Sequence, residues 1–309
     1  MIYDLIIIGG GPAGITAGIY GARQKLKTLL VTSLFGGQMT KKAVMINNYP
    51  GFEEISGADL SKRFEDHLKK QDVDIENDNV LKIEKNNSLF SVVTDNKSFQ
   101  GRSVIISTGA SPKHLGVSGE KEFLGKGLSY CVVCDGYFFS DKKVVIVGGG
   151  NTGFEAAQFL SKIAKEIFIL EYNDNIPADK VNQEIVKKDK KVKVITSVEV
   201  KEIKGDDFVR SIVYNDRKTG ETQLLEVDGV FVQIGLKTDF PSMDNLIDTN
   251  SKNEIIFNPA TNQTKTPGLF VAGDVGLGRF KQIVISCGEG AKAALSAFAY
   301  LKLNSLNDR

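Results

Sequence analysis

The chain has 309 residues, 41% of them hydrophobic, and 39 Lys+Arg against 38 Asp+Glu give a formal net charge of +1. That length buries substantial cores and suggests about two domains, while the balanced charge gives a nucleic-acid backbone no overall electrostatic support. No stretch approaches the roughly 20 apolar residues that cross a bilayer, and three cysteines are too sparse for a secreted disulfide framework, so the expectation is a cytoplasmic protein binding neither nucleic acid nor membrane.

In chain order, "DLIIIGGGPAG" (4–14) is a β-branched run meeting G-x-G-x-x-G, followed by the alanine-rich helical pattern "ITAGIYGAR". The next strand, "KTLLVTS", ends at Thr32 and Ser33 with no acid. "GADLSKRFEDHLKKQ" reads as an amphipathic helix with Leu60, Phe64 and Leu68 on one face. "VLKIEK" and "LFSVVTD" alternate like strands of an antiparallel meander, and "SVIISTGA" is an apolar strand leaving through glycine.

Next comes "SYCVVCDG" (129–136), with Cys131 and Cys134 spaced C-x-x-C and Asp135 behind them. By residue type the pair is a redox dithiol, half of a metal knuckle, or two small buried residues. A structural zinc site wants four ligands, and beyond this pair the chain offers His67, His114 and Cys287, none of them close together in sequence.

The glycine pattern then recurs. "KVVIVGGGNTG" (143–153) repeats strand, glycine turn and helix, the helix reading "FEAAQFLSKIA". In such a turn the first glycine makes the bend, the second lets backbone N–H groups approach a pyrophosphate, and the third packs helix on strand. Two of them in this context argue for two dinucleotide sites. The strand "EIFILEY" ends in Glu171 at about the 20-residue distance where an acid takes a ribose 2′-OH, which favours an NAD-like ligand. "VKEIKG", "VRSIVYN" and "TQLLEVDG" form a second meander, "GVFVQIGL" and "GLFVAGDVG" are buried strands, Asp274 stands just beyond the latter, and "KQIVISCGEGAKAALSAFAYLKL" is a long helix.

The ordered set "GGGPAG", "GGQMT", "NNYPGF", "STGASPKHLGVSGEKEF", "GKGLSYCVVCDGYFF", "VVIVGGGNTG" and "LFVAGDVG" with "FKQ" resembles the low-molecular-weight thioredoxin reductases along nearly the whole chain. The resemblance implies an α/β fold of two Rossmann-like three-layer dinucleotide-binding domains, one inserted in the other, with small antiparallel meanders. The FAD domain would comprise 1–113 and 244–309, and a pyridine-nucleotide-like domain carrying the dithiol 114–243. It also implies a homodimer and a hinge motion that alternately exposes the dithiol and admits the nucleotide.

By that resemblance FAD lies on Gly9, Gly11, Pro12, Ala13 and Gly14, with Thr32, Ser33, Gly37, Gln38, Asn48, Val80, Thr108 and Gly109 along it. Gly273, Asp274, Lys281, Gln282 and Ile283 close over it, although the family usually has arginine at the centre of "FKQ". Cys134 would face the flavin, Cys131 would attack the partner's disulfide, and Asp135 would handle protons. The partner would be thioredoxin or a thioredoxin-like protein. Cys287 reads as a buried small residue or as a second thiol near the flavin, and His114 as a linker residue.

The donor is where residues and resemblance diverge. Gly148, Gly150, Asn151, Thr152, Gly153 and Glu155 keep a dinucleotide cradle, but Glu171, Tyr172, Asn173 and Pro177 stand where NADPH-using members carry a histidine and three arginines. NADH is therefore the expected donor and NADPH is disfavoured. Two alternatives remain at this stage: a ferredoxin or other flavin as donor, and a flavin-bound redox sensor without multiple turnover.

Overall fold

A computed structural model describes residues 1–41 and 45–307. The chain divides into two compact units, the first made of Met1–Ser111 with Lys237–Arg309 and the second of Pro112–Leu236.

In the first unit a sheet runs Val73–Glu76, Thr28–Phe35, Ile2–Gly10, Ser98–Ile106 in parallel order. Ser98–Ile106 then pairs antiparallel with Leu89–Thr94, which pairs with Val80–Asn86, and on its other length parallel with Leu269–Val271. The second unit holds a five-stranded parallel sheet ordered Leu128–Ser129, Gly229–Val232, Lys143–Val147, Glu166–Leu170, Val192–Ile195. A separate antiparallel meander of Val198–Gly205, Val209–Asp216 and Thr222–Glu226 follows it. These are two Rossmann-like α/β units with small antiparallel sheets.

The central strands are apolar through their buried stretches, Leu5–Ile8 and Val144–Val147, because both their faces are covered. In Ile2–Gly10, Ile6 and Ile8 enter one core with Phe90, Val104 and Val271. Leu5 and Ile7 enter another with Ile15, Ala17 and Phe270. In Lys143–Val147 the same alternation sends Val144 and Ile146 to one core and Val145 and Val147 to the other. Burying one such side chain is worth roughly 1.5–3 kcal/mol, more than the about 1 kcal/mol span of strand propensities, so burial on both faces sets these residues.

The helix Pro12–Arg23 begins with Pro in its first turn, where no N–H is required. The helix Gly57–Leu68 is capped by Ser56, whose hydroxyl accepts the Asp59 N–H at 3.0 Å. It stops short of the Gln71 expected from its pattern. The strand Thr28–Phe35 continues past Ser33 to Phe35. Among the described residues no helix is long and apolar enough to cross a membrane.

Candidate functional site

The two glycine turns have nearly one geometry. Gly9 and Gly148 both need positive φ, 110° and 115°, which glycine adopts without a Cβ penalty. A Cβ on Gly14 would lie 1.8 Å from the Gly9 carbonyl oxygen, and one on Gly153 1.9 Å from that of Gly148, so helix and strand touch there through backbone. Gly11 and Gly150 are extended and precede helices Pro12–Arg23 and Asn151–Leu160, neither of which has a side-chain cap. A Cβ at either would meet nothing within 4 Å. Each helix start therefore faces open space with unbonded N–H groups and a positive dipole end, which suits a pyrophosphate.

Several other residues assigned by sequence gather at the first turn. The Gly36 N–H donates to the Gly10 carbonyl at 2.8 Å, and Gly37 approaches the Gly11 Cα. Thr108 borders Gly9, and Gly273, at φ 80°, faces Ala13 and Ser286. The Ser286 hydroxyl donates to Asp274 Oδ1 at 3.2 Å, and Asn48 Nδ2 donates to Gln282 Oε1 at 3.2 Å. Gln38 opens the short helix Gln38–Lys41, Ile283 opens Ile283–Asn307, and Gly109 follows Thr108 at φ 76°. The turn, the exit after Ile106 and the start of the last helix thus make one open cradle whose geometry fits a dinucleotide.

The other residues expected along the flavin make contacts within the chain. The Thr32 hydroxyl closes a local turn with the Leu34 carbonyl at 2.9 Å, and Ser33 is exposed. Val80 packs on the core around Ile8 and Val92. The Lys281 ammonium is held by the carbonyls of Asp274 and Gly276, at 3.1 and 2.6 Å, and by the Glu254 carboxylate at 3.0 Å. It pins the loop after Leu269–Val271. Glu289 carries no signal in the sequence, yet its carboxylate accepts the Gly273 N–H at 2.7 Å. Cys287 is half-buried with Sγ 3.8 Å from the Tyr49 hydroxyl. Burial pushes the Cys287 thiol up, and burial with the neighbouring Cys287 pushes the Tyr49 phenol up to about 12.

In the second unit Cys131 and Cys134 are joined as a disulfide across the first turn of the short helix Val132–Asp135. The Cys134 N–H points at Cys131 Sγ, 3.2 Å away. The Ser129 hydroxyl bonds the Asp135 carboxylate and accepts the Cys131 N–H at 2.9 Å. Behind this segment Glu120, 4% exposed, accepts the Leu115 and Gly116 N–H groups and the Tyr130 hydroxyl. Burial and that carboxylate raise the Tyr130 phenol, while His114 Nδ1 is 2.8 Å from its oxygen. His114 is thus tied to the residue before Cys131.

The second glycine turn faces Glu171, only 5% exposed. Its carboxylate accepts the Gly149 N–H at 2.6 Å and the Asn173 N–H and side-chain amide at 2.8 and 2.7 Å. Asn151 exchanges hydrogen bonds with Asp179, while Thr152 is exposed and Glu155 half-buried. Beyond Glu171 lies a groove of about 630 Å³ lined by 173–177, Arg217 and Lys218. Arg217 donates to the Tyr172 carbonyl at 2.7 Å and stacks 4.0 Å from the Tyr172 ring centre. The Ser197 hydroxyl, then Lys218 and Arg217, hold the Asp174 carboxyl below its usual range. These two cations come from the turn "DRKTG" of the meander, which a sequence reading confined to 171–177 could not find. Among the described residues no group of three or more His, Cys, Asp or Glu is placed to hold a metal.

The sequence model described as pyridine nucleotide-disulphide oxidoreductase matches residues 3–290. A subunit of alkyl hydroperoxide reductase from Staphylococcus epidermidis is 40% identical over 304 residues, 98% of this chain and 60% of its own. A protein named NADH dehydrogenase from Ferdinandcohnia aciditolerans is also 40% identical over 304 residues, 98% of this chain and 58% of its own. The chain thus spans about 60% of the length of these curated relatives. The crystal structure of thioredoxin reductase from Streptococcus pyogenes aligns with TM-score 0.91 and 36% identity, covering 97% of this chain and 98% of that one.

Proposed function

Since the chain belongs to the pyridine nucleotide-disulphide oxidoreductase family, in the branch of the low-molecular-weight thioredoxin reductases, we propose that it is an FAD-dependent disulfide reductase. Electrons pass from NADH to the Cys131–Cys134 pair and on to a disulfide of thioredoxin or a thioredoxin-like protein. The observation that carries this reading is the Cys131–Cys134 disulfide, with Asp135 bonded to Ser129 beside it, in the same unit as the second glycine turn.

The first unit would hold FAD, with the glycine turn Gly11–Gly14 facing its pyrophosphate and Gly37, Asn48, Gly273, Asp274 and Gln282 along the rest of the cradle. When bound, FAD accepts a hydride as an electron pair and returns that pair to a disulfide. The chain supplies the rest. The Cys134 N–H offers a hydrogen bond to a Cys131 thiolate, the reactive form of the sulfur, and Asp135 moves the proton.

The donor reading rests on charge. Asp174 offsets one of the two charges of Arg217 and Lys218 in the groove, and Arg217 is engaged by the Tyr172 carbonyl; an acid at Glu171, where the strand leaves the second turn, disfavours a 2′-phosphate carrying about −1.5 to −2 and suits a ribose 2′-OH. The name of the NADH dehydrogenase relative is consistent with this. The Arg217–Tyr172 stack offers a flat wall for the adenine.

Stopped-flow reduction of the bound flavin tests the donor: NADH should bleach it at least ten-fold faster than NADPH at equal concentration. Equal or reversed rates overturn the NADH assignment, and no bleaching with either overturns a nicotinamide donor. Multiple turnovers with a thioredoxin disulfide, lost in Cys134→Ser protein that keeps its flavin, test the disulfide route.

A second reading of the partner comes from the alkyl hydroperoxide reductase relatives. In it the dithiol serves a protein disulfide belonging to a peroxide-reducing system. Comparing turnover with thioredoxin and with a peroxiredoxin-linked disulfide protein decides between the two.

A further inference from the structure

Ser129 closes the strand Leu128–Ser129, is 6% exposed, and has no part in the electron route described above. Its hydroxyl has three neighbours, all on the dithiol segment. It accepts the Cys131 N–H at 2.9 Å, lies 3.3 Å from the Cys131 carbonyl oxygen, and bonds Asp135 Oδ2. The Asp135 N–H in turn donates to that same carbonyl at 3.1 Å.

A serine hydroxyl carries one hydrogen and two acceptor lone pairs, so it cannot donate to Asp135 and to the Cys131 carbonyl at once. With Asp135 ionised, the hydrogen belongs on the carboxylate, the stronger acceptor. With Asp135 protonated, the acid donates to Ser129 Oγ and the serine hydrogen turns to the Cys131 carbonyl. The Cys131 N–H bond fits both states, because Oγ then accepts either one or two hydrogens. The same residues are satisfied whichever way the proton stands.

We propose that Ser129 is a positioning residue for proton transfer at the dithiol, its hydroxyl reversing direction as Asp135 gains and loses a proton so that the carboxyl keeps its place beside Cys131 in both states. The inference rests on the disulfide-reductase reading and on Asp135 as its proton carrier. In the step concerned, the Cys131 Sγ–Cys134 Sγ bond breaks and both sulfurs are reduced by two electrons, which reach them with one proton as the hydride given up by NADH. The second proton passes from Asp135 to Cys131 Sγ, leaving Asp135 as the carboxylate. When Cys131 later attacks the partner's disulfide, that proton returns to Asp135. The dithiol segment carries the two cysteines and Tyr130, whose hydroxyl meets Glu120 and His114, and the helix Asn151–Leu160 packed against the dithiol helix carries Glu155.

The experiment uses the full-length flavoprotein with dithiothreitol as reductant, counting thiols released from the Cys131–Cys134 disulfide between pH 5 and 9. Ser129→Ala should slow reduction roughly ten- to hundred-fold and move the fall in rate that Asp135 ionisation causes to higher pH, because a carboxylate that loses a donor ionises less readily. Ser129→Thr, which keeps the hydroxyl, should restore both. A Ser129→Ala profile that overlays the parent, or that is lowered uniformly without moving and is not rescued by threonine, overturns the proposal. Asp135→Asn separates the premise: an unchanged profile there removes Asp135 as proton carrier, whereas a changed one beside an unaltered Ser129→Ala profile sinks the Ser129 role alone. The carboxyl infrared band of Asp135, identified by its loss in Asp135→Asn, gives a second reading: its titration should move to higher pH in Ser129→Ala and return in Ser129→Thr, and a band that does not move overturns the proposal.

Discussion

Glu289 links the last helix to the loop after Leu269–Val271 through the Gly273 N–H. Burial raises its carboxyl above the ordinary value of 4.5, the Gly273 bond and Lys281 oppose that rise, and Asp274 adds to it. An acid raised in the fold binds its proton more tightly there than in the unfolded chain. The contribution of Glu289 to stability is therefore fullest below about pH 4.5 and is lost as pH climbs through the folded value. Glu289→Gln keeps an acceptor for Gly273 but carries no charge. Its melting temperature relative to the parent should rise across that window and level off above it, and an offset constant from pH 4 to 8 would contradict the assignment. Single residues are also where the sequence is hardest to read. Lys281 stands in "FKQ", and only the structure shows that its ammonium bonds two carbonyls and Glu254. Arg217 and Lys218 leave no local signal, because a hairpin brings them to the groove along 173–177 from a distant part of the chain. Ser129 stands in plain view two residues before Cys131, but only geometry reveals its three bonds.

Elements whose signal is periodic are legible. Both strand-turn-helix repeats are present because their glycines are required by backbone approach and their strands by burial on two faces. Ends are less so: Thr28–Phe35 outruns its apolar run because Gly36 is tied to Gly10 by a backbone bond rather than by side chains. The pair Met45–Ile46 with Ile55–Ser56 is too short to leave any pattern. The turn itself separates two kinds of glycine. Gly14→Ala forces a Cβ to 1.8 Å from a backbone oxygen, an overpacking that costs about 1–3 kcal/mol or more. Gly11→Ala meets no protein atom within 4 Å but fills the space where a pyrophosphate would lie. Flavin-stripped Gly14→Ala protein should therefore melt several degrees below the parent. Stripped Gly11→Ala should melt with the parent yet rebind FAD at least ten-fold more weakly. If both variants lose stability equally, Gly11 is a packing glycine and the cradle lies elsewhere.

At the scale of the whole molecule, each hydrophobic core belongs to one unit. The clusters around Ile6, Ile7 and Leu60 draw only on Met1–Ser111 and Lys237–Arg309. Those around Val144 and Val145 draw only on Pro112–Leu236. A segment with its own core on both faces of its sheet satisfies the requirement for folding alone, and Pro112–Leu236 is continuous in sequence. It contains the disulfide, the second glycine turn and the Glu171 groove, but none of the residues assigned to FAD. Expressed as residues 112–236, it should fold with a single cooperative urea transition, hold Cys131 and Cys134 as a reducible disulfide, and remain colourless. NADH should protect it from unfolding more than NADPH does, by RT ln(1 + [L]/Kd), about 2.7 kcal/mol at a hundred-fold excess over Kd. A segment that is molten or aggregated would mean that its cores are completed from outside. Protection by NADPH equal to that by NADH, in a well-folded segment, would instead show that Glu171 does not discriminate at the 2′ position.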